Sequence, residues 1–148
     1  MSVIKLDKFN QLGIVVKNIE KTKLLIEAIL DFKKEVSIFE QETNVIYKGK
    51  EANFKLKKIQ QNWGEKQLEI VEVVHSNGDH LYSDFLKEGK EGLHHLGVYT
   101  KEAEKIIEQF KNKFNINVIQ TGELGKRVKF YYLDTKDTLG FYLELITF

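Results

Sequence analysis

The stretch Gly92–Tyr99, with the sequence GLHHLGVY, decides the fold of this protein. It has the alternating pattern of a buried strand, and a histidine lies in the middle of that strand. The alternation predicts Leu96 and Val98 on one side and His95, Gly97 and Tyr99 on the other. A glycine two residues after the histidine leaves space above the imidazole ring, as the floor of a binding site requires.

The chain contains this pattern twice. Gln11–Lys17 (QLGIVVK) matches His95–Lys101 (HLGVYTK) at an offset of 95 − 11 = 84 residues. A second pair of matching segments closes each copy, LEI at residues 68–70 and LEL at residues 143–145. The sequence therefore predicts a duplicated unit with a polar residue in its first and last strands.

Composition limits the possible functions. A chain of 148 residues suits one domain, 1–148. Lys and Arg number 23 and Asp and Glu 22, so net charge gives no reason to expect nucleic acid or membrane as a partner. Cysteine is absent, which excludes disulfides, thiolate metal sites and cysteine nucleophiles. There is no signal-peptide core and no apolar run of membrane-spanning length, so a cytoplasmic location is expected.

Hydrophobic periodicity predicts the order βαβββ, linker, βαβββ. The first module covers about residues 8–74, the linker 75–91 and the second module about 92–148. The predicted strands are 9–17, 35–40, 53–60, 66–74, the His95 strand, 116–120, 127–133 and 140–147. Two helices are predicted from apolar residues at helical spacing, at 25, 28, 29 and 32 and at 103, 106, 107, 110 and 114.

Three segments resemble the vicinal oxygen chelate superfamily: Phe9–Val16, Glu91–Gly97 and Leu133–Leu145. That superfamily holds glyoxalase I, methylmalonyl-CoA epimerase, extradiol dioxygenases and the bleomycin and fosfomycin resistance proteins. The resemblance extends from Phe9 to Phe148 and is strongest to the epimerase and lactoylglutathione-lyase-like branch. It implies an α+β fold in which two tandem βαβββ modules form a cup-shaped mixed sheet, with helices on its outer face.

The resemblance also implies one divalent metal ion in the cup, with ligands from the first and last strand of each module. On this chain those positions are Gln11, Glu69, His95 and Glu144. Strand alternation independently places all four on the cup face. Three oxygen donors and one imidazole suit Co, Ni, Mn or Mg, and Zn is a further candidate. Gln11 stands where the family commonly has histidine, a better donor.

Each of these residues also has a structural interpretation. A single histidine in an apolar strand is usually a core residue with one hydrogen bond, and Glu69 could lie on a solvated sheet face. Glu144 is harder to explain in this way, because a carboxylate in an apolar strand must be paired, protonated or bound to metal. His75 and His80 are expected at the surface, and His94, on the side of the strand opposite His95, is expected to support the site residues from behind or to pack in the core.

Glu144 and Glu69 are the candidate catalytic residues. The related epimerase uses two cup-facing carboxylates, one of them from the third strand of its first module. The corresponding segment here, residues 53–59 (NFKLKKI), has no carboxylate. If its apolar residues pack on the helix, Lys55 and Lys57 face the cup and bind an anionic substrate; the alternative is solvated lysines on an edge strand. Tyr99 and Tyr142 complete the predicted substrate-binding residues.

The favoured function is a metal-dependent isomerase or lyase of the glyoxalase I or methylmalonyl-CoA epimerase type. It would transfer an α-proton while the metal stabilises an enediolate, on a thioester, a hemithioacetal or another anionic oxo compound. The alternatives are a non-catalytic small-molecule-binding protein and an extradiol dioxygenase. The dioxygenase is disfavoured because its site needs two histidines and one carboxylate, and Gln11 stands where one of those histidines is required. A homodimer is expected, and both modules of a cup could come from one chain or from two.

Overall fold

The computed structural model describes residues 4–148; residues 1–3, part of the predicted domain 1–148, lie outside the described residues. The elements are β1 (Gln11–Val15), α1 (Ile19–Ile29), β2 (Phe39–Tyr47), β3 (Lys50–Trp63), β4 (Lys66–Asn77), α2 (Leu81–Lys87), β5 (Gly92–Tyr99), α3 (Ala103–Phe114), β6 (Val118–Leu124), β7 (Val128–Leu133), α4 (Lys136–Leu139) and β8 (Tyr142–Thr147). The predicted α+β fold is confirmed, and each half has the order βαβββ apart from the short helix α4.

The eight strands close into a barrel in the order β1-β4-β3-β2-β6-β7-β8-β5. β1 runs parallel to β4 and β5 parallel to β8, and the two pairs meet where β1 lies antiparallel to β5. The second junction is the antiparallel pairing of β2 with β6. In this single chain the two halves close on each other through these two junctions.

Helix α1 begins after Asn18, whose side chain accepts a hydrogen bond from the Lys21 amide. It buries Ile19 and Ile26 against the sheet, whereas Leu25 and Ile29 are 59% and 64% exposed. The predicted stripe at 25, 28, 29 and 32 is therefore wrong for its three helical positions, while Phe32, beyond the end of α1, packs in the cluster under the helix. The helix carries two apolar stripes, and periodicity alone does not tell which one faces the sheet.

Two other predicted features differ from the structure. The strand predicted at 35–40 begins only at Phe39; Val36 is buried, but in a loop that packs under α1. His80, expected at the surface, is fully buried, because it caps α2 reciprocally with Ser83 and stacks on Phe54 with 4.1 Å between ring centroids. Burial lowers the pKa of His80 to about 4.

Helix α2, inside the predicted linker, packs into the barrel. Leu81, Tyr82 and Phe85 are buried in one cluster with interior residues of the strands, among them Phe54 and Phe130. This packing occupies part of the interior and leaves a cavity beside Tyr82. Of the helices in residues 4–148, none is both long and apolar enough to cross a bilayer.

Candidate active site

The histidine pair of β5 enters the barrel through a β-bulge. Gly13 pairs with His95 but Ile14 pairs with Leu93, so His94 is an extra residue between two registers. A bulge interrupts the alternation of a strand, and both imidazoles consequently lie in the interior with no exposed surface. The expectation that His94 lies on the opposite side from His95 is wrong for this reason.

The two imidazoles contact each other through their Nδ1 atoms, 2.8 Å apart. A hydrogen bond there requires one ring to donate and the other to accept. The contact holds the His95 ring with its Nε2 atom directed toward the cavity side of β5, where Gln11 Oε1 lies 3.3 Å away. His94 thus supports His95 from behind, among the rings of Tyr82 and Phe85.

Three oxygen atoms converge on His95 Nε2. Gln11 Oε1 is 3.3 Å from it, Glu144 Oε1 3.5 Å and Glu69 Oε1 3.6 Å. All four side chains are buried. Strand pairing explains the convergence, because Glu69 pairs with Gly13 in the first half of the barrel as Glu144 pairs with Gly97 in the second.

Glu69 is held as a carboxylate. Its Oε2 atom accepts hydrogen bonds from Gln11 Nε2 at 3.0 Å and Gln60 Nε2 at 2.9 Å, and Lys58 Nζ lies 3.8 Å away. Burial opposes ionisation, but the positive charge of Lys58, together with His95 and Gln60, outweighs burial and lowers the pKa of Glu69 to about 2.

Glu144, in contrast to Glu69, has a raised pKa. Its Oε1 atom is buried and, among the described residues, has no hydrogen-bond partner. Burial raises the pKa of Glu144 to about 7 and the charge of Glu69 adds to that, while His95 and a hydrogen bond from Tyr132 act in the other direction. Of the two carboxyl groups, Glu144 is the one that can exchange a proton near neutral pH.

His95 completes the charged cluster. Burial disfavours its protonated form, but the neighbouring carboxylates of Glu144 and Glu69 outweigh burial and raise its pKa above the usual value. The hydroxyl groups of Tyr82 and Tyr132 lie 3.2 Å apart beside the cluster, and the Tyr132 hydroxyl reaches Glu144. Burial raises the pKa of Tyr82 and of Tyr132 well above its usual value, so these hydroxyl groups stay protonated and act as hydrogen-bond donors.

Lys55 and Lys57 do not face the cup, so that expectation is wrong. Lys55 pairs with Glu40 and Lys57 with Glu20 of α1, each at 2.8 Å, on the outside of the barrel. Phe54 and Leu56 line the interior instead of packing on the helix, whereas Ile59 packs in the cluster beneath α1. The lysine that does face the interior is Lys58, which is 5% exposed and donates to Gln41 Oε1 at 2.5 Å.

The two predicted tyrosines have different positions. Tyr99 lines the cavity and is 39% exposed. Tyr142 is not among the lining residues; it is buried deeper, with its ring centroid 5.2 Å from that of His94. The structure therefore places Tyr99, but not Tyr142, where it could touch a ligand.

The cavity has a volume of about 250 Å³, with a polar floor and apolar walls. Its apolar lining comprises Phe54, Leu56, Leu124, Val128, Phe130, Ile146 and Phe148. The sequence pattern did not identify the other polar lining residues, which are Gln41, Thr43, Lys58, Gln60, Gln67, Tyr82, Gln120 and Tyr132. For the β3 residues among them a signal existed, since Phe54, Leu56, Lys58 and Gln60 alternate along one face.

Three oxygen atoms and one imidazole nitrogen come together beneath the cavity. No cluster of three or more His, Asp and Glu in residues 4–148 forms a ready-made metal site. With Gln11 included, three oxygen atoms lie 3.3–3.6 Å from His95 Nε2, whereas ligands around an ion with bonds near 2.1 Å lie roughly 3.0–3.4 Å apart. The unpartnered Glu144 oxygen is available to a ligand, and carboxylate, amide and imidazole donors are of the chemical type that a small divalent cation binds.

The fold has solved relatives. A methylmalonyl-CoA epimerase variant from Streptomyces coelicolor, in complex with 2-nitronate-propionyl-CoA, is 18% identical with a TM-score of 0.63, covering 97% of this chain and 95% of its own. The epimerase from Mycobacterium tuberculosis is 12% identical with a TM-score of 0.66, covering 99% and 92%. A hypothetical protein from Bacillus halodurans is 17% identical with a TM-score of 0.65, covering 97% and 96%.

These identities establish a common fold and no common activity. A comparison with curated protein sequences found no match. The family model described as Glyoxalase/Bleomycin resistance protein/Dioxygenase superfamily matches residues 10–132, which include β1 through most of β7 and three of the four residues at the cavity floor. On the strength of that match over most of its length, the chain belongs to the Glyoxalase/Bleomycin resistance protein/Dioxygenase superfamily.

Proposed function

We propose that the protein is an enzyme that moves a proton on the carbon next to a carbonyl group, as a lyase or isomerase of the glyoxalase I or methylmalonyl-CoA epimerase type. The observation that carries the proposal is Glu144, a buried carboxyl group at the floor of a cavity with a pKa of about 7 and one unpartnered oxygen. A general base is most effective when its pKa lies near the working pH.

The residues divide the reaction between them. The Glu144 carboxylate takes the α-proton of the substrate. Tyr132 and His95 lie beside Glu144 and stabilise its negative charge before the proton is transferred. Glu69, the second proposed catalytic carboxylate, is a weak base because its pKa is about 2. We therefore assign Glu69 the fixed negative charge of the site, held by Gln11 and Gln60.

Gln11, Glu69, His95 and Glu144 are the residues that would hold a divalent metal ion. Such an ion, when bound, polarises a carbonyl oxygen and stabilises the negative charge of an enediolate. Gln11 offers an amide oxygen and His95 an imidazole nitrogen, so the donor set remains suited to Co, Ni, Mn, Mg or Zn. This ligand set remains a proposal that metal analysis must test.

An acyl thioester is the first substrate to test. The Streptomyces coelicolor relative was crystallised with a propionyl-CoA derivative, and this chain shares its fold. A cavity of about 250 Å³ is below the roughly 300–1,000 Å³ of drug-sized pockets, so it suits an acyl group and not a whole carrier. The exposed lining residues Tyr99 and Phe148 mark the side from which a carrier would extend.

The test is deuterium wash-in from D₂O into methylmalonyl-CoA and into the glutathione hemithioacetal of methylglyoxal, with and without added Co²⁺ or Ni²⁺. The native protein should accelerate exchange at the α-carbon of at least one of them. Glu144→Gln should lower that rate by about 10²–10⁴-fold, as expected for a lost general base. Wash-in by this variant at the native rate would remove Glu144 from the chemistry, and the absence of exchange by the native protein would remove the function.

A non-catalytic binding protein is the second candidate. It is favoured by β3, whose interior residues Phe54, Leu56 and Lys58 include no carboxylate. Such a protein would bind a small molecule in the cavity. It would show no deuterium wash-in into either substrate, whether or not a metal was added. The predicted homodimer is a separate question, which light scattering on the purified protein would answer.

A further inference from the structure

Lys58 is a buried cation that the proposed chemistry does not yet use. Among the described residues that line the cavity it is the one Lys or Arg side chain. Its Nζ atom donates one hydrogen bond, to Gln41 Oε1 at 2.5 Å, and lies 3.8 Å from Glu69 Oε2, which is beyond direct hydrogen-bond range. An ammonium group has three N–H donors, so Lys58 can still donate to a ligand.

Lys58 and Glu144 come from strands on opposite sides of the barrel, and Lys58 Nζ reaches toward Glu69 in the cluster that also contains Glu144. Lys58 is on β3 and Glu144 on β8, and in the closed order of eight strands these two are four strands apart in either direction. Both side chains line the same cavity. A ligand in this cavity therefore meets both a carboxyl base and an ammonium group.

This arrangement matches the charge movement of α-proton abstraction. The α-carbon–hydrogen bond breaks, its proton goes to Glu144, and its electron pair forms the carbon–carbon double bond of an enolate. The carbonyl π electrons then reside on oxygen, so negative charge leaves the Glu144 carboxylate and appears on the carbonyl oxygen. A fixed cation beside that oxygen stabilises the charge without reorganisation.

We propose that Lys58 is a catalytic residue that donates a hydrogen bond to the substrate carbonyl oxygen and stabilises the enolate formed when Glu144 removes the α-proton. The inference rests on the proposed function, because it concerns the same reaction in the same cavity. Glu69, 3.8 Å away, keeps the ammonium group compensated before the charge develops.

The neighbouring lysines make a matched experiment. Lys58 faces the cavity, whereas Lys57 faces outward and pairs with Glu20. Lys58→Met should lower kcat for deuterium wash-in by about 10²–10³-fold, as for loss of an oxyanion donor, with KM changed only a few-fold. Lys58→Arg keeps the charge and should recover part of that loss, and Lys57→Met should match the native protein.

Lys58→Gln provides a second neutral variant if the methionine protein does not fold, as judged by circular dichroism and its Tm. It should also lose at least about tenfold in kcat, because an amide is a weaker, uncharged donor. Native kcat in either neutral variant would overturn the role of Lys58 and leave the proposed function intact. No exchange by the native protein would overturn the proposed function, and the role of Lys58 with it.

Discussion

Gly13 lies directly against the imidazole ring of His95. The two residues face each other across β1 and β5, and a Cβ atom on Gly13 would fall 2.1 Å from both Cε1 and Nε2 of the ring. Gly97 has the equivalent relation to Gln11, where a Cβ atom would fall 3.0 Å from Gln11 Cβ. Each glycine therefore makes space for the polar residue of the other repeat, and the expectation that Gly97 opens the space above His95 is corrected.

Gly13→Ala should be destabilising and should displace the His95 ring. The backbone at Gly13 is compatible with alanine, so the cost comes from overpacking against a buried ring, about 1–3 kcal/mol. Urea denaturation measures the free energy of unfolding, and imidazole NMR reports the His95 environment. Gly97→Ala is the matched control; its smaller clash with the flexible Gln11 side chain should cost less. Equal costs in the two variants would contradict the assignment of Gly13 as the spacer for His95.

The stability of the protein should depend on pH through Glu144. Its pKa is about 7 in the fold against 4.5 ordinarily, so the folded state binds the proton more tightly than the unfolded state. The free energy of unfolding of the native protein, relative to Glu144→Gln, should fall by about 3 kcal/mol as the pH rises from about 4.5 to about 7. Denaturant titrations of both proteins across this range measure the difference. A difference that is flat with pH would show that the buried carboxyl does not titrate in this window.

Gln11→His should strengthen metal binding. Histidine is a better donor than the glutamine amide for Co²⁺ and Ni²⁺, and the side chain at this position already lies 3.3 Å from His95 Nε2. Isothermal titration with each metal should give a Kd at least about tenfold lower than for the native protein. Gln61→His, on the outer side of β3 where Gln61 donates to the Lys34 carbonyl, is the control and should not change the Kd. A Gln11→His protein with native affinity would argue against this ligand position.

Proton removal and return should occur on one face of the substrate. Glu69 and Glu144 are the carboxylates lining the cavity in the described part of the chain, both beside His95, and β3 contributes Lys58 to the lining but no carboxylate. Deuterium should therefore enter the α-carbon of single-isomer methylmalonyl-CoA at least about tenfold faster than the isomers interconvert, since a second base is missing. Mass spectrometry and chiral chromatography of one reaction measure the two rates, with an enzyme-free sample as the control. Equal rates would indicate a base on each face.

The order of strands and helices and the shared face of four polar residues could be predicted from the sequence, because the strand pattern occurs twice in the chain. The alternation around Gln11, Glu69, His95 and Glu144 predicted one shared face, and the structure brings these four side chains together. The βαβββ order and the helix at residues 103–114 followed from the periods of apolar residues. Their role as ligands or catalysts remains a prediction.

Other features depended on tertiary structure. The surface that an element packs against settles which apolar stripe of α1 is buried and which face of β3 lies inside the barrel. Both stripes of the helix are apolar, and both faces of β3 carry buried apolar residues, so the local pattern does not distinguish them. The bulge that turns His94 inward exists only because β1 and β5 pair with a register shift. Closure of the barrel then brings Lys58 and Glu144 into the lining of one cavity, a relation between residues 86 positions apart (144 − 58 = 86) that no local pattern encodes.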